Sequence, residues 1–242
     1  MASHEKVQLI SPGQVRGLVA SFAQGIPLDM SSDATQKWIG LSQEEWAEVL
    51  ERGPVDVVPL VRAQQALYHG HFGIAPDFSD VQIPARRPGL GRLLLFPLSL
   101  ELSKVIAVYR NLNIQISFPD DGLDAALYWN QRNPQNGSYA IWVRDRQDAD
   151  EELKYLSPNF IWDNDYTTET LLERLWHGLV YFLETGNHLD KNKTTICTGS
   201  RTDNRMAPDV CYSNNGEVII RWCSPNYYSA GGNVVAREVI AL

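Results

Sequence analysis

Cys197 lies in Ile196-Cys197-Thr198-Gly199-Ser200, with His177 and His188 upstream. A thiol nucleophile needs an adjacent imidazole to lower its pKa and take its proton. A cysteine flanked by Ile196 in a strand is far more often a small buried hydrophobe, and that is the reading adopted. Ser200 sits in a Thr-Gly-Ser-Arg turn that only loosely follows a nucleophile elbow and lacks the second glycine of G-x-S-x-G. Carboxylates suited to acid–base work are in excess at Asp148, Asp150, Glu151, Glu152, Glu169 and Glu173. Such runs over a helix turn ordinarily form a solvated face.

Metal and phosphate chemistry find weaker support. His69 and His71 would share a face only in extended chain; Asp163-Asn164-Asp165 and Asp120-Asp121 with Asp124 offer oxygen ligands. No CxxC or HExxH frames a zinc site, and helix starts explain both acidic clusters. Gly89-Leu90-Gly91-Arg92 precedes a strand instead of joining a strand to a helix, so it is neither a P-loop nor a dinucleotide fingerprint. No metal and no cofactor is expected.

Two constellations remain. Trp142, Arg144, Asp145 and Arg146 end one strand, and His188, Asp190 and Arg201 bracket another. A guanidinium fork suits carboxylate or phosphate, and a neighbouring His–Asp pair can orient it. The competing and favoured reading is an internal salt-bridge network pinning helix to strand, with Asp190 and Glu152 as ready partners.

The elements that must carry these groups follow from periodicity. Capping boxes at Ser11 and Ser42 open helices in the first third, and a third apolar stretch over 55–68 begins or kinks at Pro59. Residues 73–92 are rich in Pro and Gly and read as a linker or long loop. Beyond it the spacing predicts strands over 92–96, 114–118 and 138–144, and helices over 100–112, 120–129 and 148–156. The clearest is a helix over 168–185 with Leu172, Leu175, Trp176, Leu179 and Leu183 in one stripe, and Glu173, Arg174, His177 and Glu184 on the other side. Strands follow over 194–198, 209–212, 217–223 and 234–240, with Asn214-Asn215-Gly216 as a hairpin turn. The expected organisation is a helical region over 1–72, the linker over 73–92, and a mixed α/β domain over 93–242. The fold class is α+β: helices, then a mixed sheet packed by helices with a β-rich end.

Composition narrows the partners. Apolar residues are 44% and charged residues 21% of the 242, an ordinary globular profile. The net charge of −8 disfavours direct nucleic-acid binding. The start lacks a signal-peptide pattern, no apolar run reaches membrane length, and three cysteines argue against a disulfide framework. A cytoplasmic setting without a membrane is expected; oligomeric state is not fixed.

From Phe96 onward the chain resembles a domain recurring in uncharacterised bacterial proteins. The matching pieces are Trp142-Val143-Arg144-Asp145, Ala149-Asp150-Glu151-Glu152, Thr170 to Leu175, Tyr181-Phe182 with Thr185-Gly186, His188-Leu189-Asp190, and Gly199-Ser200-Arg201. Between Arg201 and Pro208 the chain departs from that pattern, carrying Asp203 to Ala207 where an Asp-Gly turn is expected. The resemblance brings a bacterial origin and no activity. The leading functional reading is a non-catalytic adaptor or scaffold that binds a protein partner. Its candidate contact residues are Trp142, Arg144, His188, Asp190, Arg201, Trp222 and Tyr227, with Tyr228 as a further surplus aromatic. The alternatives are a hydrolase using His188, Asp190 and Arg201, or an accessory factor of a bacterial defence or mobile-element system.

Overall fold

Pro59 marks the first described helix. In the computed structural model, which describes residues 57–119, 123–227, 229 and 231–242, α1 spans Val58–Phe72 with this proline in its first turn. There the missing N–H costs nothing, which is why the helix begins beside Pro59, at Val58, instead of kinking. The expected helices opening at Ser11 and Ser42, the residues Asp120 and Asp121, and Tyr228 lie outside the described residues.

The elements that follow are β1 (Arg92–Phe96), α2 (Leu102–Asn111), β2 (Gln115–Ser117), α3 (Leu123–Ala126), β3 (Trp129–Asn130) and β4 (Tyr139–Val143). Then come α4 (Pro158–Asp163), α5 (Leu171–Thr185), β5 (Thr194–Ile196), β6 (Ser200–Arg201), β7 (Ala207–Tyr212), β8 (Glu217–Cys223) and β9 (Val234–Val235). The fold is α+β. A mixed five-stranded sheet runs in the order β2-β8-β7-β5-β9, and two antiparallel pairs, β1-β4 and β3-β6, stand beside it. The β7–β8 hairpin turns at the expected Asn214-Asn215-Gly216, where Gly216 takes φ 84°.

Helix α1 and the Pro/Gly-rich stretch after it share one core with the strands. Tyr68, Phe78 and Leu90 are buried in the same apolar cluster as Leu94, Phe96, Ile141 and Trp176. The docking is specific. The Gln64 carboxamide donates to Leu93 O at 2.5 Å and accepts from Leu95 N at 2.9 Å, while the Tyr68 hydroxyl donates to Leu95 O at 2.7 Å. Strand β1 pairs with β4 along one edge, so these side chains satisfy the backbone of the other. Residues 73–92 therefore wrap the core between α1 and β1.

Three expectations shift in detail. The helix expected over 148–156 reduces to a short 3-10 turn at Glu151–Leu153, because Asp150 turns inward. The strand expected over 234–240 pairs only through β9 and isolated bridges at Glu238 and Ile240, because Arg237 dives into the interior between them. The helix expected over 120–129 is described only as α3, and Trp129 has moved into a strand. Among the described residues no helix is long and apolar enough to cross a membrane.

Candidate functional site

Helix α5 organises the polar interior. Thr170 caps it and Glu173 reaches back in a capping box, while Ser200 accepts a hydrogen bond from the Leu171 N–H. Ser200 also donates to Asn130 Oδ1 at 2.5 Å, so its hydroxyl is committed to holding the helix start. Gly199 passes so close beneath that a Cβ there would lie 2.5 Å from Thr168 O. Only glycine fits this crossing.

The charged side of α5 does not face solvent. Glu173, Arg174 and His177 are buried with the apolar stripe, since partners from distant segments meet them. Arg132 grips Glu173 with Nε at 2.7 Å and Nη2 at 2.8 Å. Arg174 donates to Asp190 Oδ2 through Nε and Nη2 at 2.9 and 2.7 Å; Arg237 takes Oδ1 at 2.7 Å, and Thr195 completes the carboxylate. Burial alone would raise the Asp190 carboxyl, but Arg237 and Arg174 hold it below the ordinary range. One carboxylate thus joins α5, β5 and the C-terminal segment.

Beside it, Glu169 Oε1 meets His177 Nδ1 at 2.7 Å, both residues fully buried. Burial pushes the Glu169 carboxyl up to about 8 against the pull of Arg237 and Arg174. Burial and the same cationic surroundings push His177 well below its ordinary value. Both shifts favour the neutral forms. Glu169 Oε2 and His177 Nε2 make no hydrogen bond. Cys197 is buried and its thiol is pushed up by burial, so it is a core residue in line with the sequence reading.

The residues singled out from sequence distribute as follows. Trp142 is 1% exposed, its indole donating to Pro84 O, and so belongs to the core. Arg144 binds Asp150, Glu152 and Glu238. Asp145 pairs with Arg92, and Arg146 with Glu152. His188 is stacked between Phe182 and Tyr212, with centroids 4.5 and 3.9 Å away; burial, then Lys191 and Arg174, push its imidazole down to about 4. His188, Asp190 and Arg201 share no hydrogen bond or ion pair among the described residues: Asp190 is held by Arg174 and Arg237, and Arg201 lies against Trp129. His69 and His71 lie in α1, where residues two apart point away from each other. The carboxylates Asp150, Glu169 and Glu173, read from sequence as a solvated face, are fully buried.

Arg201 behaves differently from the interior arginines. The β3–β6 register sets it directly opposite Trp129, and its guanidinium lies 4.4 Å from the Trp129 ring centroid and 5.7 Å from that of Trp162. Trp162 is fixed by its own indole, which donates to Thr198 O at 2.7 Å, and by packing on Ile196, Ala207 and Cys223. Arg205 lies over Trp162 at 5.5 Å and only grazes Asp163 at 3.9 Å. A depression of about 520 Å³, lined by Tyr128, Thr202, Asp203, Met206 and Trp222, opens near this group, with Tyr128 78% exposed. Exposed Tyr227 follows Asn226, which accepts from Asn159 on α4, the residue that also accepts from Arg205.

Two of the sequence candidates, Arg201 and Trp222, thus reach one face. Tyr128, Trp129, Trp162 and Arg205 were not singled out; Ser157-Pro158, a capped helix start just before Trp162, was the available signal. The arrangement can stack, and it can present guanidinium donors. Comparison with protein-family models, with curated proteins and with solved structures finds no match for this chain.

Proposed function

We propose that this protein is a non-catalytic interaction module, and that the face around Trp129, Trp162 and Arg201 is where it binds a partner protein. One observation carries this reading: the Arg201 guanidinium lies 4.4 Å from the Trp129 ring centroid and 5.7 Å from that of Trp162 and has no carboxylate partner among the described residues, while Arg92, Arg132, Arg144, Arg174 and Arg237 all hold one. Aromatic residues and arginine dominate binding energy where they are rigid and clustered, because little side-chain freedom is lost on contact. Exposed Tyr128 and half-buried Trp222 extend the face.

The reading is tested by immobilising the full chain beside its Trp129→Ala and Arg201→Gln variants and quantifying bound proteins. A partner captured near stoichiometry by the parent and lost tenfold or more with both variants supports it. A partner captured equally by all three, each with parental melting, contradicts it.

A further inference from the structure

Arg201 is half-buried, and no hydrogen bond from its guanidinium is made to any described residue. Five N–H donors lie in one plane, and the rings of Trp129 and Trp162 stand 4.4 and 5.7 Å from the group. Its donors stay unspent among the described residues. A carboxylate is the planar acceptor whose two oxygens match such a fork bidentately, and neighbouring rings strengthen the pair by limiting the access of water. The interior shows the same preference, with Arg132 on Glu173 in this mode.

The neighbouring depression decides what carries the carboxylate. Tyr128, Met206 and Trp222 give it an apolar wall, and its volume of about 520 Å³ exceeds what a lone anion fills. A polyphosphate chain is disfavoured there. Among the described residues only Arg201 and Arg205 are cationic there, Asp163 lies beside Arg205, Asp203 lines the depression, and the chain carries −8 overall. With Arg205 facing Asp163, charge complementarity at Arg201 beside a hollow partly walled by Tyr128, Met206 and Trp222 suits one acidic side chain followed by a bulky one.

Building on the interaction-module reading, we propose that this face recognises an acidic peptide segment, with a glutamate or aspartate carboxylate on the Arg201 edge and a neighbouring aromatic or large aliphatic side chain in the Tyr128–Trp222 depression. The probes are capped hexapeptides alternating Glu with Phe, Gln with Phe, and Lys with Phe, and a ten-residue oligothymidine, titrated against the full chain by tryptophan fluorescence. We expect the Glu–Phe peptide to bind at least tenfold tighter than the Gln–Phe peptide, with the preference abolished in Arg201→Gln and reduced several-fold in Arg201→Lys, which keeps the charge and loses the fork. Should Arg201→Gln fail to fold, Arg201→Lys and the Glu-to-Gln peptide exchange still read the carboxylate. Equal affinity for the Glu–Phe and Gln–Phe peptides, no binding of either, or tighter binding of the oligothymidine overturns the acidic-peptide assignment. The partner-capture experiment judges the interaction module separately, because it does not depend on which chemistry the partner presents.

Discussion

Arg174 and Arg201 stand at two ends of one structural choice. Arg174 is 3% exposed and, with Arg237, shares the Asp190 carboxylate, so three segments are joined by one charged cluster. The Arg201 guanidinium lies against indole rings and meets no carboxylate among the described residues. A guanidinium on a carboxylate has spent its donors within the fold, whereas one against rings is positioned with its donors still available. The contrast separates the frame of this protein from the part that can recognise something else.

The sharpest way to break this contrast is at the shared carboxylate. Asp190→Ala leaves two guanidiniums uncompensated in the interior, and we expect a loss of about 3–5 kcal/mol in urea unfolding, or failure to fold. Acid acts in the same direction. The folded Asp190 carboxyl sits below its unfolded value, so its contribution is present above pH 4 and is lost as pH falls further.

Glu169→Gln comes next. The folded protein keeps a proton on Glu169 up to about pH 8 that the unfolded chain releases near its ordinary carboxyl value, so stability falls as pH rises between them. Removing the titration should stabilise the variant at pH 8 relative to pH 5 by on the order of a few kcal/mol, since one pKa unit is about 1.4 kcal/mol. His177 has the opposite sign: its folded value is lowered, so its contribution is lost as pH drops below about 6.5. Unfolding midpoints for parent and variant at both pH values check this, and an unchanged pH slope contradicts it.

A smaller effect belongs to the strand edge. Gln64→Leu removes the carboxamide that serves Leu93 O and Leu95 N, and about 1–3 kcal/mol should be lost through those unsatisfied backbone groups. A loss below 0.5 kcal/mol, roughly the scatter of neutral substitutions, would show that Gln64 does not seal the edge.

Much of the frame was legible. The apolar stripe located α5, the Asn-Asn-Gly turn located the β7–β8 hairpin, and Pro59 offered the start of α1 as one of two readings. The polar face of α5 was misjudged because periodicity reports which side chains share a side, and cannot report that Arg132, Asp190 and Arg237 arrive there from other segments. The wrapping of Phe78 and Leu90 onto the core was hidden for a related reason: prolines and glycines mask a few well-placed apolar anchors. The candidate face was only half readable. Arg201 and Trp222 stood out by type, but Trp129 reached Arg201 through a two-residue strand pair too short to leave a pattern.

The most direct test of the contrast is urea unfolding of Arg201→Gln beside Arg174→Gln. Cation–π contacts at accessible sites contribute about 0.5–1 kcal/mol, so Arg201→Gln should stay within about 1 kcal/mol of the parent, while Arg174→Gln, leaving Asp190 half-paired in the core, should lose about 3 kcal/mol or more. Losses of similar size for the two variants would make Arg201 part of the frame and contradict its assignment to a binding face.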